Sequence, residues 1–252
     1  MINIYLMKTE EFLEEERFQL GCGLVDETRL QKIHACKSTE DKVRSLCCGL
    51  LLQYTMKKEL AADGRLTMED RLTGDRLASD SDIRMGETLA LRYEKGEQGK
   101  PYFVDYPQIY FNLSHSGEYV VLALAGQEIG IDIQKKRPVK ESFAKRVLAE
   151  PELAEYERRK TQTFAEAGRK MQDWLFRCWC AKESFCKLTG KGLSQELREV
   201  IFEPQQGRIR GERSAFCREY AIGTEYCCNV CTYEKEEFPE KLTYLTFAHI
   251  LS

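Results

Sequence analysis

The chain has 252 residues, 42% of them apolar and 31% charged, which is enough for one large domain or two modest halves and too apolar for wholesale disorder. A formal net charge of −3 supplies no global basic field, so nucleic acid is not expected as a partner and any anion site must be a local cluster. The start, Met1 to Leu6, lacks a basic segment and a long apolar run, and the most apolar stretch, Tyr119 to Ala125, is far shorter than a bilayer span; a cytoplasmic protein without a membrane partner is expected. Several of the 11 cysteines fall in adjacent pairs (Cys47-Cys48, Cys227-Cys228) or in apolar periodic stretches, where cysteine behaves as a small buried hydrophobe, and all are expected as reduced thiols. Cys228 and Cys231 have ligand-like spacing, but no second close Cys or His pair stands nearby to complete a tetrahedral zinc site.

Along the chain, Ser38-Thr39-Glu40-Asp41 reads as a capping signal. Behind it Val43, Leu46, Cys47, Leu50 and Tyr54 recur at helical spacing, which predicts a helix from about Thr39 to Leu60. Asp63 to Glu87 is polar, carries Gly64, Gly74 and Gly86, and reads as a long excursion with little core of its own. A strand around Leu89 to Tyr93 comes next, then a turn at Gly96 and Gly99 and the pair Lys100-Pro101. Ile109 to Leu113 alternates as a strand should, and Tyr119 to Ala125 is expected to pair with Ile129 to Ile133 through Gly126-Gln127-Glu128. After Pro138 the spacing predicts helices over Glu141 to Leu148, over a short stretch opened by Pro151, and from about Phe164 to Leu188, the last stopped by Gly190. Strands are predicted again at about Val200 to Glu203, Glu219 to Gly223, Tyr226 to Tyr233 and Leu242 to Ala248. Helix then strands, repeated, predicts an α+β fold of two similar halves, 1–124 and 125–252, with the cleft between them as the expected site.

Three segments carry chemistry. In Gly130-Ile131-Asp132-Ile133-Gln134, if the isoleucines point into the core, Asp132 and Gln134 point together to the opposite face. Alone this is also what a strand-end carboxylate bonded to a turn looks like. Trp179, Glu183 and Lys187 stand at i, i+4 and i+8 on one helix face, in the orientation that also makes an ordinary surface ion pair, yet beside a tryptophan and a strongly apolar stripe. Two acids meeting from these segments describe a site for a hard cation such as Mg²⁺, which takes oxygen ligands and leaves positions for water and substrate phosphate. Asn112-Leu113-Ser114-His115-Ser116-Gly117 leaves a strand and enters a turn, putting a hydroxyl and an imidazole within reach of a ligand; capping serines in a plain turn would look the same. A Ser–His hydrolase is excluded, because adjacent strand residues diverge and no Gly-x-Ser-x-Gly elbow exists.

Gly99-Lys100-Pro101, Phe111 to Gly117, Ile129 to Ile133 and Trp179-x-x-Lys182-Glu183-Ser184-Phe185-x-Lys187, closing with Gly190-Lys191-Gly192-Leu193, together resemble the surfactin-type 4′-phosphopantetheinyl transferases in order and spacing over nearly the full chain. The resemblance implies a monomer of two pseudo-symmetric α/β halves that holds coenzyme A and Mg²⁺ in the cleft. It implies attack by a serine of an apo acyl carrier or peptidyl carrier protein on the coenzyme A pyrophosphate, with release of adenosine 3′,5′-bisphosphate. By the same resemblance Asp132 and Glu183 are the metal carboxylates, Glu183 is the base, and Lys187 neutralises the pyrophosphate and assists the leaving group. Ser114 and His115 contact the nucleotide end, Lys100 lies near its phosphates, Arg29 and Lys32 grip the 3′-phosphate, and Arg44 and Ser45 supply further nucleotide contacts. Gln134 stands where several relatives carry a second glutamate, and so becomes an uncharged third metal ligand. Two other readings compete with catalysis of this kind. A different Mg²⁺-dependent nucleotide phosphotransferase lacks its Gly-x-x-x-x-Gly-Lys-Ser/Thr loop here. A module that grips coenzyme A or a carrier protein without turnover would have no need of Asp132, Glu183 and Lys187 together.

Overall fold

The computed structural model describes residues 1–62, 88–96, 99–161, 167–192, 196–235 and 237–251. Its elements run β1 (Asn3–Lys8), α1 (Glu15–Cys22), α2 (Glu27–Ala35), α3 (Thr39–Ala62), β2 (Tyr93–Lys95), β3 (Pro101–Phe103), β4 (Tyr110–Ser116), β5 (Tyr119–Ala125), β6 (Ile129–Lys135), α4 (Glu141–Val147), α5 (Glu150–Lys160), α6 (Ala167–Thr189), β7 (Ile201–Glu203), β8 (Arg208–Arg210), β9 (Ala215–Ile222), β10 (Tyr226–Thr232), β11 (Thr243–Leu245) and α7 (Phe247–Leu251). The helix starts follow from local chemistry. Asp26 caps α2 by accepting from the Arg29 amide at 2.9 Å. At α3 the Asp41 amide donates to Ser38 Oγ at 3.1 Å while that hydroxyl donates back to the Asp41 carboxylate at 2.9 Å. At its far end α6 stops at Gly190, whose φ of +75° is a left-handed conformation that favours glycine.

A four-stranded sheet has the order β11-β1-β5-β4 and a five-stranded one the order β6-β10-β9-β8-β7. Their inner faces share one core: Ile4 and Leu6 of β1 and Val121 and Ala123 of β5 meet Ile131 and Ile133 of β6 and Val230 of β10. The alternate residues, Tyr5, Met7, Val120, Leu122 and Leu124, pack outward under α3 with Leu46, Leu50 and Leu51. The second sheet is covered by α6 through Cys178, Ala181 and Phe185, which share a core with Cys217 and Cys231. Strands buried on both faces explain why β5 reads as a continuous apolar run rather than an alternation.

The expected pairing of Tyr119–Ala125 with Ile129–Ile133 does not occur. Strand β5 pairs instead with β1 and β4, and β6 pairs with β10 in the other sheet. Gly126-Gln127-Glu128 is therefore a crossing between sheets. The seam between them is made by side chains: Asn112 Oδ1, Ser114 Oγ and Ser116 Oγ on β4 accept from the backbone amides of Ile131 (3.0 Å), Ile133 (3.3 Å) and Lys135 (2.9 Å) on β6.

Two boundaries also move. The strand expected at Leu89 begins at Tyr93, because the Gln53 side-chain amide on α3 takes both backbone groups of Leu89 and leaves none for a ladder. The stretch from Leu242 to Ala248 divides into β11, which returns to pair in parallel with β1, and the start of α7. The excursion at 63–87 lies outside the described residues.

Candidate active site

Helix α6 is seated on β6 at Gly130. A Cβ there would stand 2.1 Å from the Ser184 carbonyl oxygen and 2.5 Å from the Leu188 amide, so only glycine permits this backbone-to-backbone approach. Two residues on, Asp132 faces the same helix and is 2% exposed. Its carboxylate is fully engaged: Oδ1 accepts from Lys187 Nζ at 2.7 Å and from Ser114 Oγ at 2.8 Å, and Oδ2 accepts from Gln134 Nε2 at 2.8 Å. Asp132 and Gln134 thus do share a face, as the strand period requires. Lys187 Nζ also donates to Ser114 Oγ at 2.7 Å, which closes a ring of three side chains drawn from β4, β6 and α6. An anion this deeply buried requires such partners. The i, i+4 ion pair with Glu183 yields to this arrangement.

Glu183, half-buried one turn earlier, accepts from Trp179 Nε1 at 3.3 Å. Trp179 is fixed in turn by Phe143, edge-on at 4.7 Å between ring centroids, and by Phe176 at 5.3 Å. Burial, and next the negative charge of Asp132, raise the Glu183 carboxyl above its ordinary range, while the Trp179 hydrogen bond and Lys187 pull it down. Asp132 and Glu183 thus repel one another electrostatically, and oxygen ligands such as their carboxylates are the kind Mg²⁺ takes, completed by water and substrate phosphate. Among the described residues no three His, Cys, Asp or Glu side chains cluster as a metal site.

The first half contributes cations from α2 and α3. Gly49 of α3 lets α2 come close, since a Cβ there would lie 2.6 Å from the Arg29 stem and 2.9 Å from Val25. Lys32 Nζ donates to Tyr93 Oη at 2.6 Å, and the Arg29 guanidinium lies 6.0 Å from the same ring. Arg44 pairs with Asp41 at 2.6 Å and donates to the Gly117 carbonyl at 3.4 Å; Ser45, the next residue, is half-buried. Arg29, Lys187 and Arg44, from α2, α6 and α3, all act electrostatically on the buried Cys48 thiol, which burial pushes up and they pull down.

Strand β4 runs through Ser116, and the turn expected from Asn112 onward is only Gly117-Glu118, where Gly117 takes φ +55°. Ser114 consequently points into the molecule towards Asp132. His115 points the other way, exposed beside α3, where partial enclosure and then the positive charges of Arg44 and Lys187 hold its imidazole below the ordinary value. Lys100 is ion-paired with Glu128 and donates to the Leu188 carbonyl at 3.1 Å, at the C-terminal end of α6.

Sequence reasoning missed two features. Lys182 is wholly buried and paired with Glu152 at 2.5 Å, donating also to the Val147 and Leu197 carbonyls; Glu152 further accepts from the Ala149 and Phe202 amides. Lys182 ties α4, α5 and the turn at Leu197 to the helix that carries Glu183, and through Glu152 the link extends to Phe202 of β7. The other miss is Tyr93, which orients Lys32 and has no distinguishing signal in sequence.

A family profile described as the 4′-phosphopantetheinyl transferase superfamily matches residues 128–232, the span that holds Asp132, Glu183 and Lys187. The chain is similar to the 4′-phosphopantetheinyl transferase Sfp of Bacillus subtilis (strain 168), with 32% identity over 98% of each chain. It is 30% identical to the 4′-phosphopantetheinyl transferase ffp of Bacillus subtilis over 64% of this chain and 71% of that one. To the L-aminoadipate-semialdehyde dehydrogenase-phosphopantetheinyl transferase of Mus musculus it is 29% identical over 76% of this chain and 61% of the other. Among the described residues no helix is long and apolar enough to cross a membrane.

Proposed function

The chain belongs to the surfactin-type 4′-phosphopantetheinyl transferases, and from that premise we propose that it moves the phosphopantetheine arm of coenzyme A onto a serine of an apo acyl carrier or peptidyl carrier protein, releasing adenosine 3′,5′-bisphosphate. The single observation that carries the site assignment is the convergence of Asp132, Glu183 and Lys187 where α6 crosses β6.

Asp132, Glu183 and the Gln134 amide oxygen would hold Mg²⁺, which supplies charge neutralisation at the pyrophosphate. Glu183 accepts the proton of the incoming serine hydroxyl; its raised carboxyl is the stronger base for it, and general-base assistance of this kind is worth roughly 10²–10⁴-fold. Trp179 N–H holds one oxygen of Glu183 and leaves the other to face substrate. Lys187, steadied by Asp132 and Ser114, presents its ammonium where charge develops on the leaving phosphate. Arg29, Lys32, Arg44 and His115 form the cationic approach for the nucleotide end, and Arg44 reaches His115 electrostatically.

Incubation with coenzyme A, Mg²⁺ and a panel of apo carrier proteins, read by intact mass, tests the reading. Addition of the phosphopantetheine mass to a carrier serine is the expected result. Coenzyme A binding with no adduct on any carrier would favour a module that grips without turnover.

A further inference from the structure

We infer that Cys217 and Cys231 are a modification site: a dithiol preset across the β9–β10 hairpin, which a small-molecule disulfide oxidises to an intramolecular disulfide within the folded protein.

The two residues stand directly opposite each other in the antiparallel ladder of β9 and β10, so their side chains leave the sheet on one face, and both lie in the core beneath α6. The rung between them is of the kind without hydrogen bonds. Cys217 turns its amide away from β10, to the Gly207 carbonyl at 2.8 Å, and in an antiparallel ladder a residue bonded to one neighbouring strand is unbonded to the other. Such a rung brings opposed Cα atoms to about 4.5 Å. A disulfide needs about 4.4–6.8 Å, so the backbone already stands where the bond requires it. The thiols also sense each other. Burial first, and then Cys217 as hydrogen-bond partner and as charge, raise the Cys231 thiol well above its ordinary value.

The other neighbouring cysteines are placed differently. Cys227 and Cys228 are consecutive on β10 and enter separate cores, and Cys47 and Cys48 are consecutive on α3. Cys180 packs beside Cys227, but its thiol donates to the carbonyls of Asp132 at 3.2 Å and Cys227 at 3.3 Å.

The chemistry is two exchange steps. Cys217, 6% exposed against 0% for Cys231, is the thiol nearer solvent. Its sulfur, deprotonated, attacks the small disulfide, whose S–S bond breaks; a mixed disulfide forms on Cys217 and the first small thiolate leaves, taking up the proton. The Cys231 sulfur then attacks Cys217 Sγ and expels the second small thiolate, which takes the Cys231 proton. Two protein thiols lose two electrons, and one small disulfide becomes two thiols. Cys231 Sγ gives up its 2.8 Å contact with Ser184 Oγ, but that hydroxyl keeps the Ala181 carbonyl at 2.7 Å, so α6 is left with no stranded donor there.

The test is incubation of the reduced full-length protein, under native conditions, with oxidised glutathione, followed by an acid quench and alkylation with N-ethylmaleimide in denaturant. Intact mass, peptide mapping, and thermal unfolding with and without dithiothreitol are the readouts. The expected result is loss of two hydrogens and of two alkylation sites, a linked peptide pair bearing Cys217 and Cys231, and a midpoint raised by about 3 °C or more that dithiothreitol reverses. Cys217→Ala should lose the bond and Cys47→Ala keep it; if Cys217→Ala does not fold, the peptide map of the unaltered protein decides alone. Cys217 and Cys231 both alkylated after the half-buried Cys36 has taken up glutathione would overturn the inference. So would a Cys180–Cys227 link in their place, a Cys217–Cys231 link that forms only in denaturant, or a midpoint that falls on oxidation.

Discussion

Lys187 Nζ and Asp132 Oδ1 are 2.7 Å apart although 55 residues separate them in the chain. The contact exists because a glycine at position 130 lets a helix lie against a strand backbone, and it leaves Glu183, one helical turn back, without that lysine as a hydrogen-bonded partner. Among the described residues its carboxyl keeps only the Trp179 N–H as a hydrogen-bond donor.

Asp132→Ala and Glu183→Gln are each expected to reduce carrier modification by about 10²–10³-fold, and the double variant to be little worse than the weaker single one, because groups that act as a unit are not additive. Single-turnover mass spectrometry of holo-carrier formation checks this. Near-full activity of either variant at saturating Mg²⁺ would remove that residue from the site.

Gln134→Glu replaces a donor 2.8 Å from Asp132 with a third carboxylate. Thermal unfolding in chelator is expected to fall below that of the original protein, since like charges then face each other in a partly buried place, and Mg²⁺ should restore more stability to the variant than to the original. The activity curve should shift to lower Mg²⁺. Unfolding curves that respond equally to the metal would show that this side chain is no ligand.

Coenzyme A is expected to bind about 1–3 kcal/mol more tightly than 3′-dephospho-coenzyme A, through charge-assisted hydrogen bonds from a basic cluster. Lys32→Ala should shrink that preference with little effect on turnover at saturating coenzyme A, and Tyr93→Phe should do so partly, because the phenol oxygen holds the Lys32 ammonium at 2.6 Å. Calorimetry with both ligands decides it, and equal affinities on the unaltered protein would dissolve the cluster.

Partial enclosure of the largely exposed His115, and then the positive charges of Arg44 and Lys187, hold its imidazole below the ordinary value. Between the folded and unfolded pKa the unfolded chain binds more protons, so this group makes stability rise with pH and subtracts from it as pH falls below about 6.5. His115→Asn should flatten that part of the stability–pH curve. A bound phosphate should reverse the sign locally, so that coenzyme A protects more strongly at pH 6 than at pH 8; protection independent of pH would place His115 away from the ligand.

Glu152→Gln strands the buried Lys182 ammonium and is expected to cost about 3–5 kcal/mol in chemical denaturation. Changing Lys182→Met together with Glu152→Leu should recover only part of it, since the Ala149 and Phe202 amides lose their acceptor too. A neutral Glu152→Gln would mean that the pair is replaceable.

What could be read from sequence was whatever is local. The Ser38 cap, the long apolar stripe of α6 and the strand period that sends Asp132 and Gln134 to one side are set by neighbours within a few residues, and the structure carries each of them. The expected hairpin from Tyr119 to Ile133 failed because a glycine-led loop between two apolar strands looks the same whether the second strand folds back or crosses to another sheet; the true partner of β6 is β10, almost a hundred residues onward. The inward turn of Ser114 was hidden for a related reason. Its three partners come from β6 and α6, and no spacing within β4 announces them.

The rungs from Asn112, Ser114 and Ser116 to β6 also bear on solubility. A strand edge with open amides invites another chain to add to it, and proteins that leave such edges bare are prone to polymerise. Here the outward amides of β6 are satisfied from within by hydroxyl and carboxamide side chains, which seal the edge without adding a strand. The far edges of the two larger sheets are β11 and β7, three residues each, too short to template much. In a chain with this many buried thiols and apolar strands, the edges of the two larger sheets are thus either bonded from within or only three residues long.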